Sequence, residues 1–110
     1  MGRLLLLALL VAASLAAGCT TFRAARLYES GTRALDRGDT SAAIARLERA
    51  ASLAPSASEI QNHLGLAYAA AGRDADALAA FERAVELDCG NEAAQQNLRG
   101  ARLHALGQLR

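Results

Sequence analysis

The chain repeats itself at a fixed spacing. Superposing residues 24–57 on residues 58–91, an offset of 34 positions, aligns eight identical residues. The identical pairs are Gly31/Gly65, Gly38/Gly72, Ala43/Ala77, Ala45/Ala79, Glu48/Glu82, Arg49/Arg83, Ala50/Ala84 and Leu53/Leu87. A period of about 20 to 50 residues is typical of arrays in which each unit buries its apolar face against a neighbour. The pattern therefore predicts two stacked copies of one small unit.

Each copy contains two helical segments separated by a glycine. Gly38 and Gly72 can adopt the left-handed conformation that ends a helix, and Asp39 or Asp74 then caps the next helix. Pro55 ends the second segment of the first copy, and Gly90 ends that of the second copy. The sequence thus predicts five helices, at about 21–37, 40–54, 57–71, 74–88 and 91–106.

The paired helices of each copy must approach closely. We expect Gly31 and Gly65 to face Ala43 and Ala77, where two small residues let the backbones meet. Larger side chains then fill the wider gaps, and these are Leu47, Phe81 and Tyr68.

These spacings resemble the tetratricopeptide repeat family. The second copy carries Leu64, Gly65, Tyr68, Ala77, Phe81 and Ala84 at the family's positions. The first carries Leu27, Gly31, Ala43, Leu47, Ala50 and Pro55. The resemblance implies an all-α fold, a short α-solenoid of two helix-turn-helix repeats at 24–57 and 58–91 with a capping helix at 92–110. It also implies a protein-binding module that needs no cofactor.

The first 18 residues have the layout of a signal peptide. Arg3 precedes an uncharged run, residues 4–17, in which Ser14 is the only polar side chain. The run is shorter than the ~20 residues of a membrane-spanning helix, so cleavage is favoured. N-myristoylation is discarded, because Leu6 stands where that signal needs a hydroxyl residue.

Cys19 ends a pattern that resembles the lipobox of bacterial lipoproteins, Ala16-Ala17-Gly18-Cys19. The resemblance implies removal of residues 1–18, acyl chains such as palmitate on Cys19, and a short tether at 19–23. Two acyl chains give stable membrane anchoring. Thr20 after the cysteine implies the outer membrane, facing the periplasm. The alternative is an ordinary secretory peptide cleaved near the same alanines.

The charge balance argues against nucleic acid as a partner. Of the 12 basic residues, all arginine, Arg3 lies in the signal segment, which leaves eleven against 11 acidic residues. Nucleic-acid binding uses a basic surplus that this chain lacks. Residues 58–91 are acidic, with six acids and two arginines. These acidic side chains either form a solvated face or attract a basic segment of a partner.

Few residues could perform catalysis. His63, His104 and Cys89 are the candidates, and no carboxylates cluster at metal-ligand spacing. If Cys19 is acylated, Cys89 has no partner within the chain, and we expect it to be buried or simply tolerated. The sequence therefore predicts no enzyme, no catalytic site and no metal site.

The resemblance also implies a concave peptide-binding groove lined by the first, third and fifth helices. The matching residues are Tyr28, Thr32, Leu35, Asn62, Leu66, Ala69, Gln96 and Leu103. We expect Tyr28 to anchor a ligand and Asn62 to pair with its backbone. The family's clamp for a C-terminal carboxylate is not reproduced. In so short an array these residues could instead only pack or face water.

Two functions follow from these patterns. One is a lipid-anchored adaptor or assembly factor that binds a protein or peptide partner in an envelope machine, such as a pilus or secretion system. No small-molecule substrate is expected. The other is a structural module that self-associates end to end, since short repeat arrays with exposed terminal faces can stack.

Overall fold

The computed structural model describes residues 1–109, and these residues form five α-helices and no strand. The helices are α1 (Gly2–Asp36), α2 (Thr40–Leu53), α3 (Ser58–Ala70), α4 (Asp74–Leu87) and α5 (Glu92–Gln108). Each helix packs against the next along the chain, and α3 also contacts α1 and α5. The prediction of an all-α fold with two helical repeats and a terminal helix is confirmed.

The predicted start of the first helix is wrong. Four helices lie within two residues of their predicted bounds, but α1 is continuous from Gly2 instead of beginning at Thr21. Leucine and alanine favour helix throughout this segment, and no proline interrupts it. The hydroxyls of Thr20 and Thr21 donate to the Ala17 carbonyl, at 2.9 and 3.0 Å, so they do not break the helix. The predicted tether at 19–23 lies inside α1.

The N-terminal part of α1, residues 2–23, extends away from the repeats, and we call it the apolar segment. The molecule measures 70 × 28 × 18 Å along its principal axes. Within α1 an 18-residue window has a mean hydropathy of 2.2 and is 0% buried, with Ala24 the first buried residue. By length and composition α1 is able to cross a membrane, a property it shares with signal sequences.

The two interhelical turns have the same backbone. Gly38 has φ +77° and Gly72 has φ +74°, which confirms the predicted left-handed turns. In both repeats the residue after the glycine donates its N–H to the carbonyl five positions earlier, at 2.9 Å. Glycine adopts this conformation without a steric penalty, so each turn ends one helix and aims the chain into the next.

The helix caps differ between the repeats. Asp39 caps α2, because its carboxylate accepts from the Ala42 N–H at 3.1 Å. Asp74 does not cap α4, contrary to the prediction. It is the first residue of that helix, and the capping position is occupied by Arg73. The repeat offset explains the error, since residue 39 corresponds to residue 73 and not to residue 74.

The repeat glycines accommodate large side chains. A Cβ atom on Gly31 would lie 2.7 Å from Cγ of Leu47, and one on Gly65 would lie 2.5 Å from Cε1 of Phe81. The nearest side chains to these glycines are thus Leu47 and Phe81, which were predicted to fill the wider gaps. The missing side chain on one helix makes room for the largest apolar residue of its partner.

The core continues from one repeat into the next. One buried cluster holds Leu47 of the first repeat and Leu64 of the second, and the other holds Phe81 of the second repeat and Leu98 of the terminal helix. Tyr68 packs against both clusters. Within the second repeat a buried polar contact joins α3 to the end of α4, since the Ser58 hydroxyl donates to the Ala84 carbonyl at 2.8 Å and accepts from Asn91. Each unit thus depends on its neighbour for burial.

Candidate peptide-binding cleft

Tyr28 is engaged by the neighbouring repeat. Its hydroxyl lies 3.3 Å from a Glu59 carboxylate oxygen and 3.2 Å from Nδ1 of His63. The two rings meet edge to face with centroids 5.1 Å apart. Burial, followed by the negative charge of Glu59, raises the pKa of Tyr28 to about 12. Tyr28 thus joins α1 to α3, because both its ring and its hydroxyl contact side chains of α3.

The other two predicted groove residues of α1, Leu35 and Thr32, also have partners within the protein. Leu35 packs against the core cluster of the first repeat. The Thr32 hydroxyl donates to the Glu29 carbonyl within its own helix, at 3.0 Å. The α1 part of the predicted groove therefore offers little free hydrogen-bonding capacity.

Asn62 is buried, contrary to the expectation of an exposed amide. Only 3% of the residue is exposed, and its Oδ1 accepts from Nδ2 of Asn97 at 2.8 Å. The physical reason is that α5 packs directly on α3 and covers this position. Asn62 therefore joins two helices, and a role in ligand contact would require α5 to move.

A cleft of about 580 Å³ lies between α3, α4 and α5, and we call it the α3/α4/α5 cleft. Three predicted groove residues line it, namely Leu66, Ala69 and Gln96. The rest of its apolar lining comes mainly from Ala77, Leu78, Phe81, Ala101 and Ala105. Leu103 is 70% exposed and lies outside the cleft lining. The structure thus brings together three of the eight predicted residues at one cavity.

Three polar residues lie together on the cleft lining, and none of them is among the predicted groove residues. Nε2 of Gln108 donates to Oδ2 of Asp74 at 2.9 Å, and Nε2 of His104 lies 3.3 Å from the same oxygen. His104 and Gln108 could have been found, because they are four residues apart on the helix face that carries Ala101. Asp74 could not, since its meeting with α5 depends on tertiary packing. This cluster ties α4 to the end of α5.

The comparison with protein families matches the repeats described above. A family model described as tetratricopeptide repeat matches residues 28–96, well over half of the chain. The chain belongs to the tetratricopeptide repeat family. No curated protein matches it. The matched span covers most of the first repeat, the whole second repeat and the start of α5.

The tetratricopeptide repeat is a protein-interaction fold that is generally not catalytic. Within residues 1–109 no three His, Cys, Asp or Glu side chains are placed to hold a metal ion. His63 and His104 are bonded in separate clusters. Cys19 and Cys89 are both exposed and both free thiols. The α3/α4/α5 cleft offers apolar area and a few hydrogen-bonding groups, a combination that suits recognition of a peptide segment.

Proposed function

We propose that the protein is a lipid-anchored tetratricopeptide repeat adaptor or assembly factor of the bacterial envelope. In this proposal Cys19 carries the anchor, the outer membrane holds it, and the repeats bind a partner segment in the periplasm. The observation that carries the binding role is the α3/α4/α5 cleft. Its volume of about 580 Å³ and mainly apolar lining fit one or two apolar side chains of a partner.

The apolar segment supports the anchoring half of the proposal. Its leucines, including Leu4, Leu9 and Leu15, are more than half exposed. Apolar surface in water costs about 25 cal/mol per Å², so a membrane must cover this segment or a peptidase must remove it. The Cys19 thiol is exposed and therefore accessible to acylation. The lipobox-like pattern that ends at Cys19 accounts for both outcomes.

The chemistry of the partner segment follows from the second repeat. Three of its six acidic residues pair with an arginine: Asp76 contacts Arg73 at 2.8 Å, Glu82 contacts Arg102 at 3.2 Å, and Glu86 contacts Arg83 at 3.5 Å. Exposed pairs of this kind contribute little to stability, but they offset half of the formal negative charge of this repeat. The second repeat is thus a weaker attraction for a basic segment than its formal charge suggests. We therefore assign the partner an apolar anchor, helical or extended, and not a basic tail.

The binding role is tested by placing a charge in the cleft. Ala105→Glu should reduce partner capture at least tenfold, because an unpaired carboxylate would be buried against an apolar ligand. Ala93→Glu adds the same charge at an exposed position of α5 and should leave capture unchanged. Capture is measured by site-specific photo-crosslinking from Gln96 in living cells. Equal crosslinking by the two variants would contradict the cleft as the binding site.

The anchor is tested at the two cysteines. Cys19→Ser should abolish acylation and leave an uncleaved precursor or a chain processed elsewhere. Cys89→Ser removes the other thiol and should give the mature lipidated mass. Intact-protein mass spectrometry of the membrane fraction distinguishes these forms, and a lipidated Cys19→Ser protein of unchanged processing would exclude the lipoprotein proposal.

Self-association is a second candidate function, favoured by the exposed leucines of the terminal helix. Leu103 and Leu106 are 70% and 61% exposed, and one helical turn separates them. An end-to-end contact through α5 would cover them. Sedimentation velocity over a wide concentration range should then show a dimer that Leu103→Ser with Leu106→Ser abolishes. A monomer at all concentrations would exclude self-association, and the adaptor role would then be the remaining candidate.

A further inference from the structure

A second cleft, of about 490 Å³, lies between α1 and α2, and we call it the α1/α2 cleft. Its polar lining consists of Arg26, Glu29, Ser30, Arg33, Arg37 and Arg46. Four arginines against one glutamate give the lining a formal surplus of three positive charges. The chain as a whole has a formal net charge of +1, so positive charge is concentrated at this cleft.

Most of this charge is not neutralised. Arg33 forms an ion pair with Glu29, at 2.9 Å between Nη2 and Oε1. Across residues 1–109, no carboxylate oxygen lies within 4.0 Å of a guanidinium nitrogen of Arg26, Arg37 or Arg46. Arg46 is held by one hydrogen bond from Nη1 to the Ser30 carbonyl, at 3.2 Å. Within residues 1–109 the other N–H groups of Arg46 have no hydrogen-bond acceptor.

The α1/α2 cleft lies on the same side of α1 as Cys19. A helix turns by about 100° per residue, so residues 7, 11, 14 and 18 positions after Cys19 return to nearly the same direction. These positions are Arg26, Ser30, Arg33 and Arg37. The helix is continuous between them, and at 1.5 Å per residue Arg26 lies about 10 Å beyond Cys19 along its axis. The arginines thus follow the apolar segment directly.

We propose that the α1/α2 cleft binds the phosphate group of an anionic lipid. Guanidinium groups match phosphate oxygens with paired, charge-assisted hydrogen bonds, and three such groups here have no carboxylate partner. Free inorganic phosphate offers the same chemistry. We assign the lipid as its source because the cleft lies on the side of α1 that carries Cys19, the proposed position of the membrane anchor. Only this assignment rests on the proposed membrane location.

Direct titration tests the site. The full chain is placed in neutral detergent micelles, and the arginine Nε–Hε NMR signals are followed as short-chain phosphatidylglycerol is added. Arg37→Gln with Arg46→Gln should weaken the apparent Kd by about 30-fold, at roughly fivefold for each arginine near a phosphate. Arg49→Gln with Arg99→Gln removes the same charge from exposed positions outside the cleft, and should change the Kd by less than about twofold.

The other results each overturn the proposal. Equal loss in the two double variants would show diffuse attraction between charges and no site. Equal binding of short-chain phosphatidylcholine would show that the anionic headgroup is irrelevant. Inorganic phosphate binding as tightly as the lipid would exclude the lipid as the source. Neither acylation nor a protein partner takes part in the titration. A failed titration would therefore not contradict the adaptor function, and failure of the adaptor tests would not contradict the phosphate site.

Discussion

The two repeats have the same backbone plan and present different surfaces. Both end their first helix at a glycine of positive φ, and both place a glycine against the largest apolar residue of the partner helix. The first repeat then exposes the arginine-lined α1/α2 cleft, whereas the second forms the mainly apolar α3/α4/α5 cleft with the terminal helix. The repeated glycines and buried alanines therefore maintain the turns and the packing, and positions that do not repeat distinguish the two clefts.

The largest expected loss of stability comes from truncating the main core side chain of each repeat. Phe81→Ala should lower the free energy of unfolding by about 3–5 kcal/mol, and Leu47→Ala by about 2–5 kcal/mol, because each leaves a cavity beside a glycine that cannot fill it. Chemical denaturation measures both values. We expect one shared transition, since Tyr68 packs against both cores. Separate transitions for the two repeats would contradict this coupling.

Adding a methyl group to each repeat glycine sharpens the comparison. Gly65→Ala should cost about 1–3 kcal/mol, and Gly31→Ala should cost less. The new Cβ on Gly65 would meet three atoms of the rigid Phe81 ring within 3.0 Å, while that on Gly31 would meet only one atom of Leu47. Thermal unfolding of both variants gives the order.

Two further variants serve as controls for this prediction. Gly100→Ala has open space around its new Cβ and should stabilise α5, by up to about 1 kcal/mol, because alanine favours helix. Gly65→Ala combined with Phe81→Leu should recover part of the loss, since the smaller side chain leaves room for the methyl group. A larger loss of stability for Gly31→Ala than for Gly65→Ala would contradict this prediction. It would mean that Leu47 yields less to the added methyl group than Phe81 does.

Removing the carboxylates at the starts of α2 and α4 should give a smaller difference. Asp39→Ala should cost about 0.5–2 kcal/mol, because the Ala42 N–H loses its capping acceptor. Asp74→Ala should cost about 0.3–1 kcal/mol, since Asp74 acts only on the helix dipole and through exposed contacts. Asp39→Asn retains a capping oxygen and should be nearly neutral. Equal losses at Asp39 and Asp74 would argue against the difference in capping.

The smallest expected effect is a pH dependence at the two tyrosines. Burial, followed by a hydrogen bond to Glu48, raises the pKa of Tyr68 to about 12, and Tyr28 has a similarly raised pKa. A raised pKa in the folded state means that the fold favours the protonated phenol. Stability should therefore be full below pH 10 and decline as the pH rises towards 12.

Ultraviolet titration of tyrosinate measures this shift directly. Tyr28→Phe and Tyr68→Phe should each remove one of the two late titrations, and each should flatten the decline in stability. Because both rings are only partly buried, the energetic effect should be small in both repeats. A normal titration near pH 10 in the folded protein would contradict the hydrogen bonds to Glu59 and Glu48.

Local sequence signals predicted most of the fold. The 34-residue offset identified the two repeats, Gly38 and Gly72 identified the turns, and four helices lie close to their predicted bounds. The start of α1 was missed because Gly18 and the two threonines look like a break. In a helix of leucine and alanine a single glycine costs only about 1 kcal/mol, and the threonine hydroxyls bond within the helix.

The candidate sites depended on contacts between residues far apart in the sequence. Leu66, Ala69 and Gln96 were predicted to line a groove and do line the α3/α4/α5 cleft. The predicted exposure of Asn62 was wrong, because its hydrogen-bond partner Asn97 lies on α5, 35 positions later in the chain. No periodicity along one helix specifies which residue of another helix lies opposite.

The sequence alone thus determined the family, the helical order and the position of the apolar segment, because these depend on short-range propensity and on the repeat itself. The tertiary structure alone decided which polar groups are already paired. It showed that Tyr28 and Asn62 are engaged and that three arginines of the α1/α2 cleft lack a carboxylate partner within 4.0 Å in the described chain. The physical reason is that pairing depends on distances between helices, which packing fixes and composition does not.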